Sequence, residues 1–237
     1  MWASRAALAG GAAGVAVALT QEAVELRAAG IDSRILILSD QPHEQYDELL
    51  AADAEVMVYR LESVDALAAA AARLGTTARV HLKIDTGMRR VGAEPSEAAG
   101  IVTRIAEASG VELVGVATHL ATADIPGHPA IEEQMERFVS VVSGLDLEVE
   151  LHIGNSAAAI TLPESRQTFV RTGIAMYGID PSAEVPLNRT SFTAALRWWA
   201  RVSLVKEVDE GVHVSYGWRY RTSSPTRLAT VPVGYAD

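Results

Sequence analysis

Short apolar runs alternate with helical patterns along most of the chain, and this alternation constrains the fold more than any other feature. Each run has the near-continuous apolar character of a buried strand. Seven runs are present: GVAVAL (14–19), RILIL (34–38), EVMVYR (55–60), RVHLKID (79–85), ELVGVATHL (112–120), VELHIG (149–154) and FVRTGIAMYG (169–178). Strands that alternate with helices are parallel, which gives a doubly wound sheet or a (β/α)8 barrel. The count of seven favours an α/β, TIM-type barrel that lacks one strand.

The helical segments between the runs have recognisable ends. Thr20 is placed to cap one helix, with Glu22 in its first turn and Gly30 just beyond its end. Gly75 and Gly110 close two others. These signals support the assignment of helices between the strands.

The pattern changes after residue 190, where no helical periodicity follows. Three β-rich runs cover residues 194–208, 213–220 and 227–237, with turn signals between them. We therefore predict two domains. An incomplete α/β barrel occupies residues 1–188, and the start of a β-rich C-terminal domain occupies residues 189–237.

Charge and composition exclude several classes of function. The formal net charge is −10 and there is no basic stripe, so we do not expect nucleic-acid binding. The chain contains no cysteine, which excludes disulfides and thiolate metal sites and suits a reducing cytoplasm. No stretch has the roughly 20 strongly apolar residues that span a membrane.

The first 19 residues leave an alternative open. Arg5 precedes an apolar run of signal-peptide length that has small residues near its end. A Gly10–Gly11 turn interrupts this run, which then continues directly into a helix pattern. These features favour a helix and strand of the folded domain, and we predict a cytoplasmic protein.

Polar side chains gather where the later runs end, at the face where TIM barrels carry their active sites. Taken singly, His119 or His152 is more often a structural histidine, and Arg171 suits an ordinary ion pair. Four consecutive strands with such ends instead indicate one site for an anionic or carboxylated ligand. The residues are Lys83, Asp85, Arg90, His119, His152, Asn155, Ser156, Arg171, Gly173 and Ile174.

Two segments predict a phosphate site. GNSAAAI (154–160) makes a tight turn and then opens a short helix at Ser156, and RTGI (171–174) exposes the amides of Gly173 and Ile174. Helix starts and bare amides bind phosphate, and barrels carry this site after their last strands. AGGAAG (9–14) is a weaker candidate because its glycines precede a strand, which is typical of a helix stop and turn.

Six motifs resemble the pyridoxal-phosphate-dependent alanine racemase family of fold type III. They are HLKIDTGMRRVG (81–92), THLATAD (118–124), HIGNSAA (152–158), VRTGIAMYG (170–178), VSYG (214–217) and PVGYAD (232–237). The resemblance implies a pyridoxal 5′-phosphate cofactor and interconversion of L-alanine and D-alanine through a cofactor aldimine. It also implies supply of D-alanine for peptidoglycan, and a homodimer.

The resemblance assigns the cofactor contacts to specific residues. It implies that Arg171 faces the pyridine nitrogen, which stays neutral because a guanidinium keeps its own proton. His119 would brace Arg171 by a hydrogen bond. Asn155 and Ser156, together with the amides of Gly173 and Ile174, would contact the cofactor and hold its phosphate.

The resemblance assigns substrate contacts to Arg90 and Tyr235, and it implies that Arg90 also contacts the phenolic oxygen of the cofactor. It also implies that Lys83, carbamylated in many members, orients Arg90. A carbamylated lysine is an anion, which would explain a lysine close to two arginines. An alternative stays open, in which Lys83 is unmodified and Asp85 alone neutralises Arg89 and Arg90.

The resemblance makes Tyr216 the second catalytic base, reaching the site of the partner subunit. A phenol is a weak base at neutral pH, so we expect positive charge beside it. Without the resemblance, Tyr216 reads as a strand tyrosine with its hydroxyl in water.

The sequence departs from the family pattern in its lysines. The motif that carries the cofactor-binding lysine, close to VKADAYGHG, has no match, and the chain holds only Lys83 and Lys206. Lys83 fits another motif and Lys206 lies in the β region, so neither is a credible anchor. We expect a chain truncated at both ends, with a barrel that lacks its first strand, and inactive alone. Arg89 stands where the family has glycine, so we expect a costly positive φ there.

Two other functions remain open. One is another fold type III racemase or decarboxylase, which would share the cofactor contacts. The other is a non-catalytic pyridoxal-phosphate-binding barrel, although the β region from residue 194 onward argues against it.

Overall fold

The computed structural model describes residues 1–145 and 147–234. The chain forms two compact units, Met1–Thr193 and Ala194–Asp237, and each is described by itself.

Six strands of the first unit form one parallel sheet, and their order in the sheet follows their order in the sequence. They are β1 (Gly14–Val17), β2 (Arg34–Ile37), β3 (Glu55–Val58), β4 (Ala78–Lys83), β5 (Val111–Ala117) and β6 (Glu150–His152). A doubly wound sheet reverses its strand order at a switch point, whereas a barrel sheet does not. The predicted α/β barrel class is therefore confirmed, as a curled sheet of six strands.

Helices precede, connect and follow these strands. They are α1 (Trp2–Ala9), α2 (Thr20–Ala28), α3 (Tyr46–Ala51), α4 (Leu61–Leu74), α5 (Ala98–Glu107), α6 (Pro129–Ser143) and α7 (Ser156–Thr161). Short 3-10 helices cover His43–Gln45, Pro95–Glu97, Pro163–Ser165 and Ile174–Tyr177. Among the residues with described coordinates, no helix is long and apolar enough to cross a membrane.

The predicted helix ends are confirmed in part. Gly75 ends α4 in the left-handed conformation, with φ 65°, which only glycine adopts without strain. Thr20 does not cap α2, because it is already the first helical residue and its backbone N–H and hydroxyl contact Gln41. Glu22 instead accepts hydrogen bonds from the amides of Ala18 and Leu19.

The two faces of the sheet differ because side chains alternate along a strand. One face packs against the helices and contributes Ile35, Ile37, Val56, Val58, Val80 and Leu82 to the main apolar core. The alternate positions, on the other face, hold Arg34, Leu36, Glu55, Met57, His81 and Lys83. The reading of these runs as nearly continuous apolar strands missed this polar inner face.

The seventh predicted strand, residues 169–178, does not form. The amide of Thr168 donates to Leu151 O at 3.0 Å and that of Arg171 to Gly154 O at 2.8 Å, so the segment follows the edge of β6. β6 is only three residues long, and the segment turns at Gly173 into the 3-10 helix Ile174–Tyr177. The extended segment is therefore too short for a regular ladder.

Between residues 194 and 234, the second unit forms two antiparallel strand pairs where three long β-rich runs were predicted. The end of the third run, residues 235–237, lies outside the described residues. β7 (Leu204–Val208) pairs with β10 (Thr226–Thr230), and β8 (His213–Val214) pairs with β9 (Tyr220–Arg221). A 3-10 helix, Tyr216–Trp218, separates β8 from β9. The predicted run 213–220 is therefore a short hairpin, and of the run 194–208 only the last five residues form a strand.

Candidate active site

One cleft of about 630 Å³ lies at the carboxyl ends of the strands in the first unit. Eight of the site residues predicted from the sequence line it: Lys83, Arg90, His119, Asn155, Ser156, Arg171, Gly173 and Ile174. Apolar side chains, including Leu38, Met57 and Val91, form much of the remaining wall. Cationic and amide donors beside apolar walls suit a flat ligand that carries negative charge.

Arg171 is held in place by acceptors on both terminal nitrogens. Its Nη1 donates to His152 O and to His152 Nδ1, both at 2.7 Å. Its Nη2 donates to Thr118 O at 2.6 Å and to Ile153 O at 3.3 Å. No hydrogen bond of the described residues uses its Nε–H, so this donor is left for a ligand. Burial lowers the pKa of Arg171 to about 10, so the guanidinium stays charged at neutral pH.

The predicted phosphate-binding segments meet at the cleft. The amide of Gly173 donates to Ser156 Oγ at 2.9 Å, and that of Ala175 to the same oxygen at 3.3 Å. Ile174 begins a 3-10 helix, so its amide has no acceptor within that helix. A Cβ added at Gly173 would meet no atom within 4 Å, so there is open space beside these amides.

Asn155 connects this region to the neighbouring strand. Its Oδ1 caps α7 by accepting from the amide of Ala158 at 3.0 Å, and its Nδ2 donates to Leu120 O at 3.2 Å. The side chain therefore fixes the start of α7 next to Ser156.

Lys83 is 6 % exposed and lies beside two arginines. Its pKa is lowered to about 8, first by burial and then by the positive charges of Arg171 and Arg90, against a smaller opposing effect of Asp85. The described residues give Lys83 no ion pair. A buried lysine with neighbouring cations is costly, and loss of its positive charge would relieve that cost.

Asp85 does not neutralise the neighbouring arginines. Its Oδ1 accepts from the amides of Gly87 at 2.9 Å and Arg89 at 3.0 Å, and so closes the turn after β4. Arg89 pairs with Glu94 at 2.5 Å, and no ion pair between Asp85 and an arginine occurs among residues 1–145 and 147–234. Arg89 has φ 54°, which confirms the expected left-handed conformation.

His119 lines the cleft but contacts Arg171 weakly. Its Nδ1 lies 3.5 Å from Arg171 Nη2, at the limit of a hydrogen bond. Burial, followed by the charge of Arg171, lowers the pKa of His119 to about 4, so the imidazole is neutral at pH 7. The firm imidazole partner of Arg171 is His152.

Two family models cover nearly the whole chain. The N-terminal domain of alanine racemase matches residues 1–181, and the C-terminal domain of alanine racemase matches residues 195–237. This chain belongs to the alanine racemase family.

Alanine racemases from several bacteria are similar to this chain over almost all of its length. That of Desulfovibrio desulfuricans is 42% identical over 236 residues, which cover 98% of this chain and 63% of the relative. That of Frankia casuarinae is 40% identical and covers 99% of this chain and 63% of the relative. The chain therefore spans less than two thirds of the length of these alanine racemases.

Solved structures of alanine racemases have the same fold. The enzyme from a Streptomyces lavendulae that produces D-cycloserine aligns with a TM-score of 0.87 at 40% identity, over 98% of this chain and 63% of that one. The Streptomyces coelicolor alanine racemase aligns with a TM-score of 0.87 at 36% identity, over 98% and 64%. A histidine racemase from Leuconostoc mesenteroides has a TM-score of 0.79 at 24% identity, over 98% and 63%, and therefore shares the fold alone.

Two buried residues that continue the site inward, His81 and Glu55, were not among the residues predicted from the sequence. His152, which was predicted as a strand-end residue, contacts Arg171 directly, and His81 and Glu55 follow behind it. One sequence signal was present at Gly115, where an added Cβ would lie 2.2 Å from His81 Nδ1. A glycine inside a strand marks a close approach of this kind.

Tyr216, the predicted second base, belongs to the second unit. It is 94 % exposed, at the start of a 3-10 turn. Ser215 and Trp218, on either side of it, have φ 61° and 52°. Tyr235 lies outside the described residues. Within residues 1–145 and 147–234, no group of three or more histidine or acidic side chains is placed to hold a metal ion.

Proposed function

We propose that this chain is the cofactor-binding part of an alanine racemase, which interconverts L-alanine and D-alanine and supplies D-alanine for the cell wall. Residues 1–188 would form the pyridoxal-phosphate-binding barrel, and residues 189–237 would begin the C-terminal β domain. The observation that carries the proposal is the convergence of eight predicted residues on one cleft. The two compact units, divided after Thr193, are compatible with this arrangement.

The residues of the cleft fit pyridoxal 5′-phosphate. The hydroxyl of Ser156 and the amide of Ile174 would hold the phosphate, which needs several donors at close range. The amide of Gly173, which donates to Ser156 Oγ in this structure, would turn to the phosphate as well. The Nε–H of Arg171 would face the ring nitrogen. The bound cofactor withdraws electrons from the substrate and so acidifies its α-C–H bond. Arg171 keeps its own proton and so leaves the ring nitrogen unprotonated, which suits racemisation better than reactions that need a stronger electron sink.

Arg90 and Lys83 would organise the substrate end of the cleft. Arg90 is exposed there, and its guanidinium suits the substrate carboxylate and the phenolic oxygen of the cofactor. We propose that Lys83 is carbamylated, which replaces a buried cation by an anion that attracts Arg90. The lowered pKa of Lys83 supports this proposal, because only a neutral amine reacts with carbon dioxide.

Tyr216 would act as a base in the cleft of a partner subunit, in a cytoplasmic homodimer. Its exposed hydroxyl lies on a turn with two residues of positive φ, Ser215 and Trp218. A group presented in this way on a strained turn is suited to reach another subunit. Tyr235 remains a proposed substrate contact.

The lysines determine what the 237 residues can do by themselves. Lys83 lines the cleft in the position proposed for carbamylation, and Lys206 is an exposed residue of β7 in the second unit. We propose that the 237-residue chain binds the cofactor without a covalent bond to either lysine. By itself, the chain would not racemise alanine. This gives a direct test.

The test combines a cofactor titration, a labelling experiment and an activity assay. Pyridoxal 5′-phosphate added to the chain should change its absorbance saturably, and Arg171→Leu and Ser156→Ala should each weaken binding about tenfold. Borohydride followed by mass spectrometry should label neither lysine. Labelling of Lys83 at one equivalent would contradict its proposed role.

The activity assay uses the full reading frame that contains these residues, because the chain spans only part of its relatives. Incubation with L-alanine and chiral chromatography should give D-alanine, with loss of activity in Tyr216→Phe. A histidine racemase shares this fold, so the fold alone does not determine the substrate. If the enzyme racemises another amino acid and not alanine, the result would favour the second candidate, a different amino-acid racemase. Cofactor binding with no product from any amino acid would favour a non-catalytic carrier.

A further inference from the structure

A line of polar side chains crosses the inner side of the sheet between two cavities. One end is Arg171, in the cleft. The other end is Glu55, which lines a second cavity of about 830 Å³ at the amino ends of the strands. His152 and His81 lie between them and are both 0 % exposed. The proposed function uses only Arg171 of these four residues.

Consecutive members of this line are within hydrogen-bonding distance. Arg171 Nη1 is 2.7 Å from His152 Nδ1, and His152 Nε2 is 3.0 Å from His81 Nδ1. His81 Nε2 is 2.8 Å from Glu55 Oε2. The two imidazole rings meet edge to face, with centroids 4.9 Å apart and an angle of 86°.

The direction of these hydrogen bonds follows from the ends of the line. A guanidinium only donates, so His152 Nδ1 must accept and the proton of this imidazole is on Nε2. That proton faces His81 Nδ1, which must therefore accept, so His81 carries its proton on Nε2. The Nε2–H of His81 then donates to the carboxylate of Glu55. Arg34 Nη2 is also 3.2 Å from His81 Nε2. A guanidinium has no acceptor atom, so Arg34 cannot accept this proton in place of Glu55.

The charges at the two ends support the same arrangement. Burial, followed by the charge of Arg171, lowers the pKa of His152 far below its ordinary value, so this imidazole stays neutral. Burial raises the pKa of Glu55, but hydrogen bonds from His81 and Arg34 outweigh that effect and leave it lowered. The described residues give Arg171 no carboxylate partner. Glu55, which also pairs with Arg34 at 2.6 Å, is therefore the anionic acceptor at the end of the line, and it polarises the two imidazoles in the same direction.

The line is not a path for protons. Transfer along it would require Arg171 to give up a proton, which a guanidinium does not do near neutral pH. The arrangement can instead fix the orientation of Arg171. With both terminal nitrogens occupied, only the Nε–H remains for a ligand.

We propose that Glu55, His81 and His152 form a one-way hydrogen-bond relay that holds Arg171 with its Nε–H available to the cleft. His81 and His152 are therefore positioning residues, remote from any substrate. The inference rests on the proposed function only for the identity of the acceptor, which would be the ring nitrogen of the cofactor.

Gly115 provides a way to disturb the relay without altering its members. A Cβ at Gly115 would lie 2.2 Å from His81 Nδ1 and 2.7 Å from its Cε1, so Gly115→Ala displaces the ring. Gly100 lies in α5, and a Cβ there meets no atom within 4 Å. Gly100→Ala is therefore the matched control.

The first test needs no cofactor. Long-range proton–nitrogen NMR of the chain with 15N-labelled histidine, near pH 7.5, reports which ring nitrogen carries each proton, with His81→Gln and His152→Gln used for assignment. Each relay imidazole should carry a proton on Nε2 and none on Nδ1, as the hydrogen bonds require. A proton on Nδ1 of either ring would overturn the relay.

The second test measures the dissociation constant of pyridoxal 5′-phosphate by absorbance. Gly115→Ala and His81→Leu should raise it about tenfold, and His81→Gln, which retains a donor and an acceptor, should raise it less. Gly100→Ala should leave it unchanged. Urea unfolding shows whether each variant is folded. If Gly115→Ala does not fold, the comparison between His81→Leu and His81→Gln decides the result.

The two tests separate the relay from the proposed function. Wild-type chain that shows the expected protonation but binds no cofactor would contradict the proposed function and leave the relay standing. Cofactor binding that is equally tight in His81→Leu and in wild type would overturn the positioning role.

Discussion

Replacement of Lys83 by methionine should change stability in opposite ways with and without carbon dioxide. The folded chain lowers the pKa of Lys83 from 10.5 to about 8, so it binds this proton less tightly than the unfolded chain does. A difference of this size corresponds to up to about 3 kcal/mol of lost folding free energy below pH 8. The loss diminishes as the pH rises from about 8 towards 10.5. In buffer free of carbon dioxide at pH 7, Lys83→Met should therefore raise the free energy of unfolding by up to that amount.

Bicarbonate should reverse the comparison. With a pKa of about 8, roughly one Lys83 in ten is neutral at pH 7, against roughly one in three thousand for an unperturbed lysine. Carbamylation of that fraction gives an anion beside Arg90 and Arg171. Only the folded state places the carbamate beside these two arginines, so bicarbonate should raise the unfolding free energy of the wild type. It should leave that of Lys83→Met unchanged.

Urea unfolding at pH 7, in sealed cells with and without added bicarbonate, measures both effects. Lys206→Met is the matched control, because Lys206 is exposed on β7, and it should change stability in neither buffer. Wild-type stability that is independent of bicarbonate would refute the carbamylation argument. A loss of stability in Lys83→Met without carbon dioxide would refute the assignment of Lys83 as a strained buried cation.

Three further perturbations test other parts of the structure. The pKa of His119 is about 4 in the folded chain, below its ordinary value of 6.5. The folded state therefore loses stability relative to the unfolded state as the pH falls from about 6.5 to about 4. His119→Asn should make the unfolding free energy less dependent on pH in that range, as measured by urea unfolding. Asn155→Ala should lower the unfolding free energy by about 1 kcal/mol through loss of the α7 cap, measured by urea titration. Gly92→Ala should lower the unfolding free energy by about 1–3 kcal/mol, because φ is 138° and a Cβ would lie 2.7 Å from Asp85 N. Gly100→Ala, where a Cβ meets no atom within 4 Å, should not lower the unfolding free energy in the same titration.

Six of the seven strands predicted for the first unit form, because apolar runs bounded by turn residues are typical of strands that are buried on both faces. The seventh failed for a local reason. Thr172 and Gly173 interrupt the run, and β6 beside it offers only three residues for pairing. In the second unit, the tryptophan-rich segment 194–203 looked like a strand but forms none, because its side chains are exposed and a strand there has nothing to pack on.

The cleft residues were predictable because strand ends in a barrel converge on one face, so position along each run was enough to place Lys83, Ser156 and Arg171 together. The relay was not predictable in this way. His81 lies within a run that was interpreted as an apolar strand, and His152 was predicted only as a strand-end residue. Only the register between strands brings their nitrogens together. The brace on Arg171 was expected from His119, whereas the structure gives the short contact to His152.

A crystal structure of the chain grown with pyridoxal 5′-phosphate is the most direct test of the cofactor site. We expect one cofactor in the cleft, with its phosphate against the amides of Gly173 and Ile174 and its ring nitrogen beside Arg171 Nε. A cofactor bound at another place, or held in the cleft with its phosphate turned towards Arg90, would contradict the proposed site.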